Sequence, residues 1–328
     1  MKRFAALLLS ALLAASSVLC AASAPRPIFV LTDPVGDDHG DGSLIYPQRD
    51  DMRSGDLDLV SLAAFEDPEG TLFEATFNRT ITKPDPARQI DDIGLKLVDV
   101  AKLGFYTFNI DVYIDTDRVA GSGRTQMLPG RRAEVDPASA WEKVICLTPN
   151  PPRARDTLRS ILKARETRQL KAEKGKVLAD DAQAVRQAVS REIEANVFFP
   201  TRVTVLGRTV KFVVPVTFLG GRAKAEWGYV VSVTGADLAQ KVDLGSALGV
   251  ADPDPDRLMM LPVGTGAYPD RFGTKHDWDP LMPALVDVVV PAGQKQEEVL
   301  GSYDPRSQKP ARLQAVVPAS GPAPGAKP

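Results

Sequence analysis

The chain has 328 residues, 44% of them hydrophobic, and its 42 acidic side chains nearly balance 40 basic ones. A chain of this length can bury a sizeable core without disulfide bonds. Its balanced charge argues against nucleic-acid binding, which needs a basic surface.

The first 24 residues have the pattern of a Sec-type signal peptide. Two basic residues precede the apolar run Phe4–Leu13, and small residues follow up to Ala24. Bulky residues directly before Cys20 argue against a lipoprotein. No later stretch reaches the roughly 18 apolar residues of a membrane span. We therefore predict a periplasmic or secreted mature chain without a transmembrane span, in which a buried Cys146 is the single cysteine.

An Asp- and Gly-rich loop follows the first predicted strand, Ile28–Leu31. Crowded carboxylates repel one another unless a cation lies between them, and oxygen ligands on a flexible loop suit Ca²⁺. The acid spacing is not that of an EF-hand. Asp and Gly also dominate ordinary turns, so a turn without an ion is the alternative. The candidate calcium ligands are Asp33, Gly36 (through its carbonyl), Asp37, Asp38 and Asp41, with Asp115 or Asp117 approaching from a neighbouring turn.

The region up to Asn150 is predicted to be mostly β. Its clearest strand is Phe108–Asp115, in which apolar residues alternate with polar ones. That alternation is typical of a half-buried antiparallel strand. A second Asp- and Gly-rich turn, residues 116–123, follows it.

The composition changes after Pro151. Residues 153–195 are rich in Ala, Arg, Gln, Lys and Glu, and two apolar stripes at helical spacing flank a turn at Lys174–Lys176. We predict a helical hairpin inserted into a β domain. Its 11 basic and 7 acidic residues favour a solvated outer face, and a surface for a protein partner is the alternative.

Strand patterns return after the hairpin. They cover residues 202–206, 210–214, 228–233 and 285–290, and an irregular stretch, residues 249–278, lies before the last of them. Residues 319–328 are predicted to be a disordered tail. We therefore expect one domain, residues 25–318, that is mainly β: an antiparallel β-sandwich of the jelly-roll or immunoglobulin-like type with an inserted α-helical hairpin.

Several of these motifs together resemble a known family. The chain is similar to the C-terminal module of glucodextranase and its standalone relatives, a β-sandwich group similar to family-nine carbohydrate-binding modules and DOMON-like domains. The resemblance spans about residues 27–318. It is carried by Asp33-Pro34-x-Gly36-Asp37-Asp38-x-Gly40-x-Gly42, Tyr46-Pro47, Gly55-Asp56-Leu57, Val112-Tyr113-Ile114-Asp115, Gly121-Ser122-Gly123-Arg124, Phe272-Gly273, Val286-Asp287, Pro291-x-Gly293-x-x-Gln296 and Val299-Leu300-x-x-Tyr303.

The resemblance implies an extracytoplasmic, non-catalytic module that binds carbohydrate or a cell-surface polymer, with structural calcium. Sugar rings usually stack on exposed aromatic side chains, so Trp141, Trp227 and Trp278 are the candidate ligand-binding residues. Packing in the core is the alternative for each of them.

Two other functions stay open. A secreted carbohydrate-active hydrolase needs two carboxylates at a set separation, but no such pair and no nucleophile motif stands out. His39 and His276 are the only histidines for triad or zinc chemistry. A haem-binding electron carrier is the third possibility, because some DOMON-like relatives hold haem. Met259, Met260 and His276 could then supply axial ligands.

Overall fold

A computed structural model describes residues 25–89, 94–238 and 257–319 of the chain, which is mainly β. The predicted signal peptide and residues 320–328 of the predicted tail lie outside the described residues. Within the described residues, no helix is both long enough and apolar enough to cross a membrane.

Fourteen strands are defined in the described part of the chain. In chain order they are β1 (Phe29–Thr32), β2 (Leu44–Ile45), β3 (Leu59–Asp67), β4 (Gly70–Phe77), β5 (Phe108–Asp115), β6 (Ala133–Val135), β7 (Lys143–Leu147), β8 (Val197–Phe198), β9 (Val203–Leu206), β10 (Thr209–Pro215), β11 (Gly228–Gly235), β12 (Gly273–Thr274), β13 (Asp287–Val288) and β14 (Ala311–Leu313). The helices are α1 (Leu97–Val100), α2 (Pro151–Lys174), α3 (Ala179–Asn196), α4 (Val216–Leu219) and α5 (Gln296–Leu300), and a 3₁₀ turn covers Pro137–Ser139.

The first large sheet is antiparallel and has the strand order β1-β3-β4-β10-β9. A tight turn joins β3 to β4 at Gly70. A Cβ atom on Gly70 would lie 2.0 Å from the carbonyl oxygen of Val214, so only glycine fits beside β10. Pro215 ends β10, a position that suits proline because it has no N–H to donate within a sheet.

The second large sheet has the order β13-β11-β5-β7-β8. Its strands are antiparallel except for β7 and β8, which run parallel. Parallel neighbours need a crossover connection, and α2 and α3 provide it here. The helical hairpin predicted at residues 153–195 is therefore confirmed as helices, and it links two adjacent strands of the sheet.

One apolar cluster contains side chains of both large sheets. Phe73 and Phe212 of the first sheet belong to it together with Ile110, Val112 and Val231 of the second, and all five are fully buried. Burying each such side chain contributes about 1.5–3 kcal/mol relative to leaving it exposed. This cluster holds the two sheets in one core.

The other face of the second sheet is covered by the helical hairpin. Leu158 and Ile193 pack in a second apolar cluster with Tyr113, Val144 and Cys146. All eight residues of β5 are consequently buried, so the prediction of a half-buried strand is wrong. The hairpin is also more than a solvated outer face, because its inner stripe packs in this cluster together with loop residues such as Leu128 and Met259.

Only the base of the hairpin takes part in that packing. Between residues 165 and 184 every described side chain is exposed or partly exposed. We expect that replacing residues 165–184 with a short Gly/Ser linker will change the free energy of unfolding by less than about 1 kcal/mol, as for other surface changes. Urea unfolding of the truncated protein measures this. A loss of cooperative unfolding would show that the tip contributes to the core.

Candidate metal centre

Three aspartates, two from the loop after β1 and one from the distant strand β13, lie close together. Asp33 follows β1, Asp37 lies four residues further in the loop, and Asp287 belongs to β13. Each offers a carboxylate oxygen, and these oxygens all lie within 4.8 Å of one another. Gly36 lies between the first two with a φ of 93°, a conformation that favours glycine.

Asp58 is the fourth carboxylate of this region. Its Oδ2 accepts hydrogen bonds from the backbone N–H of Gly36 at 2.8 Å and from the Asn78 side chain at 2.9 Å. Its Oδ1 is buried without a hydrogen-bond partner. Asp58 thus holds the loop and adds a fourth acidic group to its inner side.

The loop is fastened to β13 by Gln296 of α5, a side chain that is 2% exposed. Its Nε2 donates to the carbonyl oxygens of Asp37 and Gly40, and its Oε1 accepts from the N–H of Val288 at 2.6 Å. A side chain almost 260 positions away in the sequence therefore sets the position of Asp37 relative to Asp287.

Asp287 accepts hydrogen bonds from the N–H groups of Leu59 and Val288, but Asp33 and Asp37 lack the donors that buried carboxylates normally have. Both carboxylate oxygens of Asp33, which is 8% exposed, and Oδ1 of Asp37 are buried without a hydrogen-bond partner. No Lys or Arg of the described residues forms an ion pair with Asp33, Asp37, Asp58 or Asp287. Leaving such groups unsatisfied is costly, and a bound cation or a shared proton removes the cost.

The protonation of the cluster reflects this environment. Burial, and then the charge of Asp37, raises the pKa of Asp33 to about 8. Burial, and then the charges of Asp58 and Asp38, raises the pKa of Asp37 to about 6. Burial and the charge of Asp33 also raise the pKa of Asp287. Without a cation Asp33 therefore keeps its proton near neutral pH, whereas Asp37 loses its proton above about pH 6.

The carboxylate oxygens of this cluster suit a hard cation. All the atoms are oxygens, which suit hard cations better than zinc or copper. Oxygens within 4.8 Å of one another are close enough to bind one ion together, and Ca²⁺ takes such oxygen ligands at about 2.3–2.6 Å. The arrangement can bind a dication.

Comparison with known proteins assigns the family. Residues 28–316 match the family described as the C-terminal binding module, SLH-like, of glucodextranase. The chain belongs to this family. The resemblance predicted from the opening motif is thereby confirmed, and the matched range includes every residue of the carboxylate cluster. A search of the curated proteins finds no match.

Two of the predicted ligands of this module have other roles. Asp38 is fully buried and accepts hydrogen bonds from the N–H of Gly55 at 2.7 Å and from the Tyr46 hydroxyl. Asp41 accepts from the backbone and the hydroxyl of Ser43 at 3.0 and 2.6 Å. Both carboxylates therefore shape the loop and are already satisfied by protein donors.

Asp115 and Asp117 do not approach the loop. Strand β11 pairs with Asp115 at Gly228 and with Asp287 at Val233, five residues along the strand and thus about 17 Å away. Asp115 and Asp117 instead form a separate group with Glu142.

Hydrogen bonds within the turn engage most of this second group. The backbone N–H groups of Arg118 and Val119 donate to Asp115 and Asp117, at 2.7 and 2.8 Å, and that of Thr116 donates to Glu142 at 2.7 Å. Oε1 of Glu142 is buried without a hydrogen-bond partner.

The three tryptophans do not form an exposed platform. Trp141 and Trp227 are 5% and 6% exposed, and Trp278 packs partly buried against the main core. The Trp141 indole donates to the carbonyl oxygen of Gln126 at 3.1 Å. Core packing, the alternative stated for these residues, is what the structure shows for Trp141 and Trp227.

The residues considered for haem or histidine chemistry lie in different surroundings. Met259 and Met260 are core side chains, and the Met260 sulfur accepts a hydrogen bond from Arg131. His39 lies between the Leu44 carbonyl oxygen, 3.3 Å from its Nδ1, and the Ser54 hydroxyl, 3.0 Å from its Nε2. His276 is exposed on a loop.

Sequence reasoning missed Asp287 and Asp58 as members of the cluster. One signal for Asp287 was present, because it is the single acidic residue within the apolar run of residues 285–290. A buried strand that keeps a carboxylate usually has a partner for it. Nothing in the sequence indicated that this partner would be the loop after β1.

Proposed function

We propose that this protein is an exported, non-catalytic module that binds carbohydrate or a cell-surface polymer. The observation that carries the proposal is the family match over residues 28–316, because that family is described as a binding module. The shared core of the two large sheets also supports a β-sandwich, the architecture expected for such modules.

A calcium ion is the second part of the proposal. It would be held by Asp33, Asp37 and Asp287, with Asp58 next to them. The unpaired buried oxygens of Asp33 support this, because they need either a cation or a proton. In this role the ion joins the loop after β1 to β13 and stabilises the fold.

Co-sedimentation tests the binding function. The purified protein, in buffer with calcium, is incubated with insoluble polysaccharides and with cell-envelope fractions, and the bound fraction is measured over a range of protein concentrations. Saturable binding to at least one polymer is expected. Only the non-saturable background seen with an unrelated protein of similar charge would contradict the proposal.

A further inference from the structure

A pocket separate from the carboxylate cluster has the features of a ligand site. Its volume is about 270 Å³, and side chains from several segments line it, among them Arg49, Arg88, Tyr106 and Leu261. Small-molecule sites usually have about 300–1,000 Å³, so this pocket has the size for a single small unit. Carbon atoms form most of its wall, with a few polar groups that can set orientation.

The charges that line the pocket are balanced. Two guanidinium groups, of Arg49 and Arg88, are accompanied by two carboxylates, of Asp237 and Asp270. An anionic ligand would meet both carboxylates, and a cationic ligand would meet both guanidinium groups. A neutral ligand with many hydroxyl groups can accept hydrogen bonds from the guanidinium groups and donate to the carboxylates.

Asp51, which does not line the pocket, fixes the positions of Arg49 and Arg88. Its carboxylate accepts from Nη2 of Arg49 at 2.8 Å, from the Tyr106 hydroxyl at 2.8 Å and from Arg88. Burial raises the pKa of Asp51, but the hydrogen bonds and charge of Arg49 outweigh burial, so the pKa lies below its usual value. The polar wall of the pocket is therefore preorganised, which lowers the cost of binding.

An exposed aromatic residue directly precedes two residues of the pocket wall. Tyr268 is 53% exposed, and the next two residues, Pro269 and Asp270, line the pocket. The carbonyl oxygen of Tyr268 accepts from the N–H of Gln48, which precedes Arg49. The guanidinium of Arg271 lies 4.6 Å from the ring centre and holds the ring in place. Tyr268 thus offers the exposed face that the three tryptophans do not.

We propose that this pocket binds one neutral hexose unit of the polymer, with Tyr268 stacking on the sugar ring and Arg88 and Asp270 hydrogen-bonding to its hydroxyl groups. The proposal rests on the proposed function, because it names the binding face and the ligand class of the same module.

Calorimetric titration of the full protein with defined trisaccharides tests this assignment. The neutral probes are maltotriose, isomaltotriose, cellotriose and mannotriose, and the acidic probe is trigalacturonate. The variants are Tyr268→Ala and Asp270→Ala. The matched control is Leu206→Ala, which truncates a side chain 59% exposed on β9. Because all three side chains are mainly exposed, melting curves should stay unchanged.

At least one neutral trisaccharide should bind more tightly than trigalacturonate. Tyr268→Ala should raise its Kd by about tenfold, and Leu206→Ala should leave it unchanged. If both pocket variants bind as the wild type does, the pocket is not the site, although the binding function stands. If the wild type binds a polymer but none of the neutral trisaccharides, the hexose assignment is wrong and the proposed binding function stands. If the wild type binds neither polymers nor trisaccharides, both proposals are wrong.

Discussion

Replacing Arg131 with methionine should destabilise the protein by about 3–5 kcal/mol, because it leaves the Asp111 carboxylate buried without its counter-charge. Both side chains are fully buried. The guanidinium donates to the two carboxylate oxygens at 2.7 and 3.1 Å and to the carbonyl oxygens of Pro129 and Leu258 at 3.0 and 2.9 Å. It therefore connects β5 to two loops.

Urea unfolding of the Arg131→Met protein measures the loss. The double variant Arg131→Met/Asp111→Leu is the control, since it removes both charges and should be less destabilised than the single variant. A loss below about 1 kcal/mol in the single variant, the value typical of surface ion pairs, would contradict this role for Arg131.

Calcium should raise the melting temperature, and it should do so more at pH 8 than at pH 5. A ligand that binds only the native state adds about 2.7 kcal/mol at a hundredfold excess over Kd. This corresponds to a rise of about 4 °C for a domain of this size. Differential scanning calorimetry with calcium or with excess chelator measures the difference.

The pH dependence follows from the raised pKa values. In the ion-free folded protein Asp33 keeps its proton up to about pH 8, whereas its ordinary pKa is 3.8. The folded state therefore binds more protons than the unfolded state between these values, and stability in chelator should fall as the pH rises from about 4 to 8. Calcium displaces these protons, so its stabilisation grows as the pH rises.

Two variants separate the metal from general effects of charge. Asp33→Asn removes a proposed ligand and one of the three groups with raised pKa values, so it should abolish the calcium effect and weaken the pH dependence in chelator. Asp117→Asn alters the second carboxylate group and should leave both unchanged. Equal melting temperatures of the wild type in calcium and in chelator at pH 8 would contradict calcium binding at this cluster.

Local sequence patterns were sufficient to predict several strands and helices. The alternation in residues 108–115 predicted β5 with its observed bounds, and the composition of residues 153–195 predicted α2 and α3 within one or two residues. Both signals are local, since strand and helix periodicity depends on neighbouring residues. The loop after β1 was likewise recognised from its own aspartates and glycines.

The burial of β5 could not be read from its alternation. Asp111 and Asn109 look like solvent-facing residues, yet Arg131 pairs with Asp111 and the Asn109 amide donates to Thr234 and Met259 inside the protein. A buried polar group with a partner and an exposed one have the same local pattern. Only the tertiary structure, which packs helices and loops on this face, decided which was present.

Part of the candidate metal centre could be predicted from the sequence, and part of it depends on the tertiary structure. By itself the sequence determined the family, the loop that carries Asp33 and Asp37, several strands such as β1, β5 and β11, and the two hairpin helices, because each is encoded in contiguous residues. Only the tertiary structure decided that Asp287 completes the cluster, that Asp115 lies far from it and that Tyr268 is exposed where the tryptophans are buried. Strand pairing and burial bring together or separate residues more than a hundred positions apart, and local periodicity carries no record of those contacts.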